Sequence, residues 1–347
     1  MKQFLKKWLG PIIILVTLAI VLIVGIVTGT LPEAVNAVTH ANPLFIGLCI
    51  LCYFGYLAAD AAAITSFLKT QGYTIRKRDA FAATLTGVYY ANITPGATGG
   101  QPMQIHHLRK SGIPVGIGTS AVAVAFISWH IMRVVLMTVL GIPYWDFIVQ
   151  NLGNYWPFLL LGYVYNIILT GLWVLFCFSK RPVAWLMRGI AKIATKLHLS
   201  KNPEKLTAGL ERTAERFHSS MKAIRGQKGE IAKQLLFGTL NVICLTSIMY
   251  FAYLAVGLRG ASYGQITVMS IAQYTSAAYM PTPGAAGAQE AIFGLYFGQM
   301  MQGSKLLAVM LIWRFMSFYL GLILGAVGNL LHRRQESPAK AKVQENI

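Results

Sequence analysis

The sequence predicts an all-α polytopic membrane protein, with about six spanning helices and two re-entrant helical hairpins in an inverted-topology repeat. Three observations carry this. The chain of 347 residues is 55% hydrophobic and only 12% charged, and its mean hydropathy of +0.56 is too high for a soluble protein of this length. Its apolar runs are separated by basic stretches that alternate with stretches poor in Lys and Arg. Thr94-Pro95-Gly96-Ala97-Thr98-Gly99-Gly100-Gln101 returns 188 positions later as Thr282-Pro283-Gly284-Ala285-Ala286-Gly287-Ala288-Gln289, identical at six of eight positions.

The net charge of +19 would suit nucleic acid if it formed one folded basic surface. Here the basic residues lie between apolar runs, so the positive-inside rule accounts for them and no nucleic-acid partner is expected. Cys49, Cys52, Cys177 and Cys244 all fall within apolar runs and read as small packed hydrophobes, not as a disulfide or metal framework. Lys2, Lys6 and Lys7 precede an apolar run that is long and lacks a small-residue cleavage site, which predicts a retained first helix.

That first helix runs from about Pro11 to Val27 and starts inside. Glu33 and His40 follow without Lys or Arg, so this short segment is placed outside. The second helix, about Pro43 to Phe67, returns to Lys69, Arg76, Lys77 and Arg78 in the cytoplasm. Ala80 to Ile93 is apolar but too short to cross a bilayer that needs roughly 20 helical residues. After the first Thr-Pro-Gly-Ala the chain reaches His106, His107, Arg109 and Lys110, so the hairpin near 80–108 enters and leaves by one face. A third helix, about Val115 to Leu140, leads to a loop from Pro143 to Trp156, where Tyr144, Trp145, Tyr155 and Trp156 fit an interfacial aromatic belt.

The fourth helix, about Pro157 to Phe178, returns inside. Between Lys180 and Lys233 thirteen Lys or Arg face four Glu. Helical spacing of Val183, Leu186, Ile190, Ile193 and Leu197, and again of Leu206, Leu210, Phe217, Met221 and Ile224, predicts a cytoplasmic hairpin of two amphipathic helices resting on anionic lipid. Asn202-Pro203-Glu204 gives the second a cap, a first-turn Pro and an early acid. The fifth helix, about Leu235 to Leu258, emerges outside. The second hairpin, 265–301, enters and leaves there. The last helix, about Leu306 to His332, ends inside, before a disordered tail at 333–347.

Each half thus has three spanning helices and one hairpin, 1–140 and 141–332, and the odd number of spans inverts one half against the other. Inverted repeats with broken helices near the midplane are a transporter architecture. Pro95, Gly96, Pro283 and Gly284 are the hinge residues, because Pro removes a backbone donor and Gly tolerates positive φ. Thr98 to Gln101 has capping-box spacing, and Gly287 to Glu290 repeats it with Gly as cap. Both half-helices would then aim positive N-termini into one central cavity, where a phosphate or carboxylate could sit.

Arg133 and Arg314 lie deep in the third and sixth helices at nearly equivalent repeat positions, beside or one turn from Trp129 and Trp313. Arginine in hydrocarbon faces a cavity or a partner, and Asp60 and Glu290 are the candidate partners. Substrate binding is therefore assigned to Arg133, Arg314, Glu290, Gln101, Thr94, Gly99, Gly100, Thr282, Gly287 and Asp60, with an internal Arg to carboxylate pair as the competing role. His130 reads as a hydrogen-bonded packing residue, and His106 and His107 as part of a solvated basic face. Neither a catalytic group, a metal site nor a cofactor is expected.

The run Thr94-Pro95-Gly96 through Gly100-Gln101-Pro102, then Leu108-Arg109-Lys110-Ser111-Gly112-Ile113, and later Pro281-Thr282-Pro283-Gly284 through Glu290-Ala291, resembles the membrane domain of lysylphosphatidylglycerol synthases, the multiple peptide resistance factor family. It is also similar to stand-alone flippase-like proteins that share this domain. The resemblance implies a multi-pass protein of the bacterial cell membrane with cytoplasmic termini. The implied activity is moving aminoacylated phosphatidylglycerol or polyprenyl-phosphate lipids between leaflets, which protects against cationic antimicrobial peptides. Family members often carry an acid at the position of Gln101, and Glu290 keeps one in the second copy. The family's aminoacyltransferase is a separate cytosolic domain, and this chain stops at Ile347. The expected function is therefore a phospholipid flippase or transporter, supplied by a separate synthase and open to homo-oligomer formation. Phosphatidylglycerol lysyl transfer and small-molecule secondary transport are the alternatives.

Overall fold

The computed structural model describes residues 25–179, 203–278 and 280–328, with the single positions 19, 21–23, 185 and 189. The predicted first helix, the first amphipathic helix of the basic segment and the C-terminal tail lie wholly or mostly outside the described residues. Everything regular among the described residues is helical. The helices are α1 Leu31–Thr39, α2 Pro43–Thr70, α3 Lys77–Ile93, α4 Gly100–Lys110, α5 Val115–Gly141, α6 Trp145–Leu152 and α7 Trp156–Phe178. They continue as α8 Pro203–Arg225, α9 Lys228–Ala255, α10 Tyr263–Ala277, α11 Ala288–Phe297 and α12, which starts at Gly303–Arg314. Beyond Arg314, α12 passes through a π-helical turn at Phe315–Tyr319 and continues to Gly328. Among the described residues, five stretches are long and apolar enough to cross a membrane. They become six if the bent pair Val21–Val27 and Leu31–Thr39 is one broken span.

The centre of the fold is the pair α2 and α9. Asn42, which caps α2 by accepting from Leu44 N–H at 3.0 Å, donates its own N–H to Ala255 O at the far end of α9 at 2.9 Å. At the opposite end, Ser66 donates to Glu230 at 2.9 Å, where α9 begins. The pair is therefore antiparallel. Between these ends Gly55 lets the helices approach: an added Cβ would lie 2.9 Å from Cys244 Sγ. One apolar core surrounds Tyr53, Tyr253, Phe293, Phe297 and Trp313. A second gathers Phe67, Leu108, Ile117, Phe217 and Met221.

Four features differ from the sequence reading. Residues 31–39, expected as a connecting segment, form α1, with Pro32 in the first turn and Glu33 at its positive end. The loop from Pro143 to Trp156 holds α6, which buries Ile148 and Leu152 and ends at Gly153 with φ +50°. The second amphipathic helix of the basic segment, α8, packs its apolar face on α5, a contact the sequence reading did not foresee. Phe217, Met221 and Ile224 are buried there. Gly116 of α5 permits the contact, since a Cβ would fall 2.7 Å from Thr213 O. Finally, the sixth expected helix carries the π turn directly after Arg314. Such turns insert one residue into a helix and recur at functional sites.

Beyond that turn α12 crosses back to the first half of the chain. Gly321 and Gly325 have the G-x-x-x-G spacing that allows close helix approach. Cβ atoms there would lie 2.5 Å from Tyr53 Oη and 2.5 Å from Tyr89 Cβ, so α12 rests on α2 and α3. Lys305, near its start, is tied to Val256 O at 2.6 Å.

Candidate functional site

The repeated motif produces the same backbone twice. Gly96 has φ +59° and Gly284 +56°, and each is followed by an alanine in the left-handed region, Ala97 at +57° and Ala285 at +49°. These alanines are the two non-glycine residues with positive φ among the described residues. A left-handed alanine costs about 1–2 kcal/mol, so two matched instances mark a conformation held by its surroundings. In each copy Pro precedes the pair and starts a single 3-10 turn. The two turns meet: Gly96 N–H donates to Pro281 O at 3.1 Å.

Capping differs between the copies. The box expected from Thr98 to Gln101 does not form. Instead α4 starts at Gly100, and the Gly99 N–H is satisfied by Thr94 Oγ1 at 2.8 Å, while Thr94 donates to Tyr90 O at 2.6 Å. Thr98 turns back to Pro95 O at 3.0 Å. Close packing enforces this choice, because a Cβ at Gly99 or Gly100 would meet Thr94 or Ala91 within 3 Å. In the second copy the expected pairing holds in one direction: the Glu290 carboxylate reaches back to Gly287 N–H at 2.7 Å. Thr282 donates to Ala286 O at 2.9 Å.

Glu290 also meets Arg314. Nε and Oε1 lie 2.5 Å apart, with both side chains about nine-tenths buried. The guanidinium's other arm, Nη2, donates to Gly284 O at 3.1 Å, and Phe318 of the π turn stacks on it at 4.2 Å. Arg314 thereby ties α12 to both sides of the second interruption, its turn and the half-helix that follows.

Arg133 is placed differently. The 188-residue offset carries it to Gly321, about two turns past Arg314, so the two arginines are not equivalent. Arg133 is buried between α5 and α7. There it donates from Nη2 to Asn166 Oδ1 in a short contact and lies 4.6 Å from the Trp129 ring centroid. Asn166 is itself held by Gly162 O at 2.7 Å and Thr275 O at 2.9 Å. Removing this acceptor leaves a buried guanidinium without its polar partner, and a hydrogen bond to a charged group is worth about 1.5–3 kcal/mol. Asn166→Leu is accordingly expected to lower the unfolding temperature in detergent sharply. Adding Arg133→Met to it should recover much of the loss.

Asp60 pairs with neither arginine. Its Oδ2 accepts from Thr84 Oγ1 at 2.7 Å and Gln104 Nε2 at 2.9 Å. It lines a cavity of about 220 Å³ bounded by α2, α3, α4, α5 and α9, together with Gly100 and Gln101. Glu290 and Gly287 line a separate, mostly apolar cavity of about 600 Å³ against α12. The expected residues thus fall into three groups rather than one central cavity: Asp60, Gly100 and Gln101; Gly287, Glu290 and Arg314; and Arg133 alone. Thr94, Gly99 and Thr282 shape the turns.

Gln101 corresponds to Gln289, which accepts from Gln273 at 3.1 Å, and Glu290 falls opposite Pro102 rather than Gln101. His130 is buried with Nδ1 2.9 Å from Phe126 O, as a packing residue should be. The four cysteines are free. Thr84, Gln104 and Asn166 escaped sequence reasoning. Gln104 stands one turn from Gln101 on the same half-helix, and Asn166 is a polar residue within an otherwise apolar stretch, which were the available signals.

Apolar helices of spanning length, with two strained breaks in contact with one another, define a multi-pass helical membrane protein. The chain belongs to the family described as the lysylphosphatidylglycerol synthase TM region, which residues 8–325 match. It is also similar to the UPF0104 membrane protein MJ1595 of Methanocaldococcus jannaschii. The two are 22% identical over 317 residues, covering 90% of this chain and 92% of that one. Membership in this family implies a function related to membrane lipid.

Proposed function

We propose that the protein carries an anionic or aminoacylated phospholipid, or another lipid phosphate, from one leaflet to the other. The observation that carries the reading is the meeting of the two interruptions through Gly96 and Pro281 at 3.1 Å. Broken helices are tolerated at membrane depth where they are buried in protein or line a cavity, and in transporters they mark the substrate path. The antiparallel pairing of α2 and α9, corresponding helices of the halves 1–140 and 141–332, supports an inverted repeat in which each hairpin re-enters from its own face. In this reading both termini lie in the cytoplasm and the protein sits in the cell membrane, as the positive-inside rule would have it.

In this reading the headgroup passes along the junction of the two turns while the acyl chains stay in lipid. Arg314 is engaged by Glu290 in the conformation described and meets the headgroup phosphate when that pair opens. The polar cavity at Asp60 and Gln101 receives the hydroxyl or ammonium end of the headgroup, not its phosphate, on the other side of the junction. An aminoacylated substrate would come from a synthase activity.

Proteoliposomes with fluorescent phosphatidylglycerol, lysyl-phosphatidylglycerol or polyprenyl phosphate in the outer leaflet test this by dithionite quenching. Protein-dependent gain of protection for one of these lipids, as it moves to the inner leaflet, is expected. Equal leaflet exchange in protein-free vesicles would remove the proposal. Formation of lysyl-phosphatidylglycerol from lysyl-tRNA by the purified protein would favour the lysyltransferase reading instead.

A further inference from the structure

The cavity beside Asp60 is unusual in its polar accounting. Asp60 lies in α2, ten residues before its end at Thr70, and no Lys, Arg or His is among the described residues lining the cavity. Its described hydrogen-bond donors are neutral groups, the Thr84 hydroxyl and the Gln104 amide. An anion in a low-dielectric setting without a compensating charge is costly. The carboxylate in the other half, Glu290, is compensated by Arg314.

A second group in the cavity wall points the same way. Asn241 of α9 is 6% exposed and lines the cavity. Its Nδ2 donates to Tyr56 O at 3.1 Å, but its Oδ1 is buried with no partner. An unpartnered buried acceptor beside an uncompensated carboxylate calls for a donor or a positive charge. Packing alone does not require this polarity, because the 188-residue offset takes Gln104 to Ile292, which is 3% exposed in the core of the second half.

We propose that this cavity binds a single positive charge between the Asp60 carboxylate and the Asn241 amide oxygen. The charge is brought by a monovalent metal ion or by a primary ammonium group. Oxygen donors suit the first, and a carboxylate with a neutral acceptor suits the second. Thr84 and Gln104 are positioning residues that fix the carboxylate rotamer. A metal ion here would act as a coupling ion, and an ammonium would select a cationic headgroup. The site itself exists independently of whether the protein moves lipid.

The test uses the purified full-length protein in a neutral maltoside detergent, so it is separate from any transport assay. Unfolding temperature is followed at constant ionic strength while N-methylglucamine chloride is replaced by lithium, sodium or potassium chloride, or by methylammonium chloride. A ligand of the folded state raises the unfolding temperature saturably. A saturable rise with a metal ion alone identifies a metal site, a rise with methylammonium alone identifies an ammonium site, and a rise with both identifies a site open to either. In each case Asp60→Asn abolishes the response, and Asn241→Leu weakens the apparent affinity by about tenfold or more, as expected for loss of one direct ligand. Both variants must keep a cooperative unfolding transition in N-methylglucamine chloride, and Thr84→Val, retaining the carboxylate, keeps a weakened response if Asp60→Asn does not fold. No response to any of the four cations in the natural protein, or an undiminished one in Asp60→Asn, overturns the proposal.

Discussion

Glu290→Gln is expected to destabilise the protein by about 3–5 kcal/mol, the usual cost of removing one partner from a buried ion pair, and to stop lipid movement. The Glu290 carboxylate serves two groups at once, the Gly287 N–H at the start of α11 and the Arg314 guanidinium on α12. Neutralising it leaves Arg314 with the Gly284 carbonyl and the Phe318 ring. Neither supplies a negative charge, so the cation stays buried without compensation. Arg314→Gln should be comparably damaging, because Glu290 then keeps only a backbone N–H. Replacing both with methionine should recover most of the stability, since buried pairs contribute little beyond well-packed apolar side chains. It should not recover transport if the pair opens to meet a headgroup. Scanning fluorimetry in detergent and the leaflet assay in vesicles separate the two effects. A double variant that moves lipid at the natural rate would reduce the pair to packing.

Gly284→Ala is expected to be nearly as severe, for a steric reason. Gly284 sits at φ +56°, and an added Cβ would fall 2.0 Å from Phe318 Cε2. The ring cannot retreat freely, because it covers Arg314 and its carbonyl lies 3.5 Å from Asn92 Nδ2 on α3. Left-handed strain of about 1–2 kcal/mol adds to overpacking of about 1–3 kcal/mol, giving a loss of about 2–5 kcal/mol. Gly96→Ala makes the internal control. It pays similar strain, but its Cβ would find only Thr98 Cγ2 at 3.9 Å, so its loss should be the smaller by about the overpacking term. Equal losses in the two variants would show that backbone strain alone decides, and that Phe318 does not press on the second turn.

The fold was largely legible because hydropathy and the positive-inside rule act over long windows. The ends of α2, α5 and α7 fall within a few residues of the sequence reading. Short elements escaped for the same reason: α1 and α6 are nine and eight residues long, below any spanning threshold, and are held by tertiary burial. The motif located both interruptions, since Pro and Gly restrict the backbone locally. It did not predict that the turns would touch, which depends on how α2 and α9 bring the halves together. Glu290 was legible as a candidate partner of a buried arginine, because a charge at membrane depth needs compensation, but which of Arg133 and Arg314 it meets was not. Arg133 was misjudged as the counterpart of Arg314, because a count of helix depth ignored the 188-residue offset. The pairing of Arg133 with Asn166 required knowing that α7 packs against α5, which no local pattern encodes.

In the proposed carrier the two turns form one junction through which the headgroup must pass. Cysteines at Ala97 and Pro281, in a background where Cys49, Cys52, Cys177 and Cys244 are replaced by alanine, allow the junction to be clamped with a short methanethiosulfonate cross-linker and released with reductant. The predicted result is efficient cross-linking within one chain, loss of lipid movement while clamped and its return on reduction, with both single-cysteine proteins unaffected by the reagent. Failure to cross-link, or unchanged lipid movement in the clamped protein, would contradict the account.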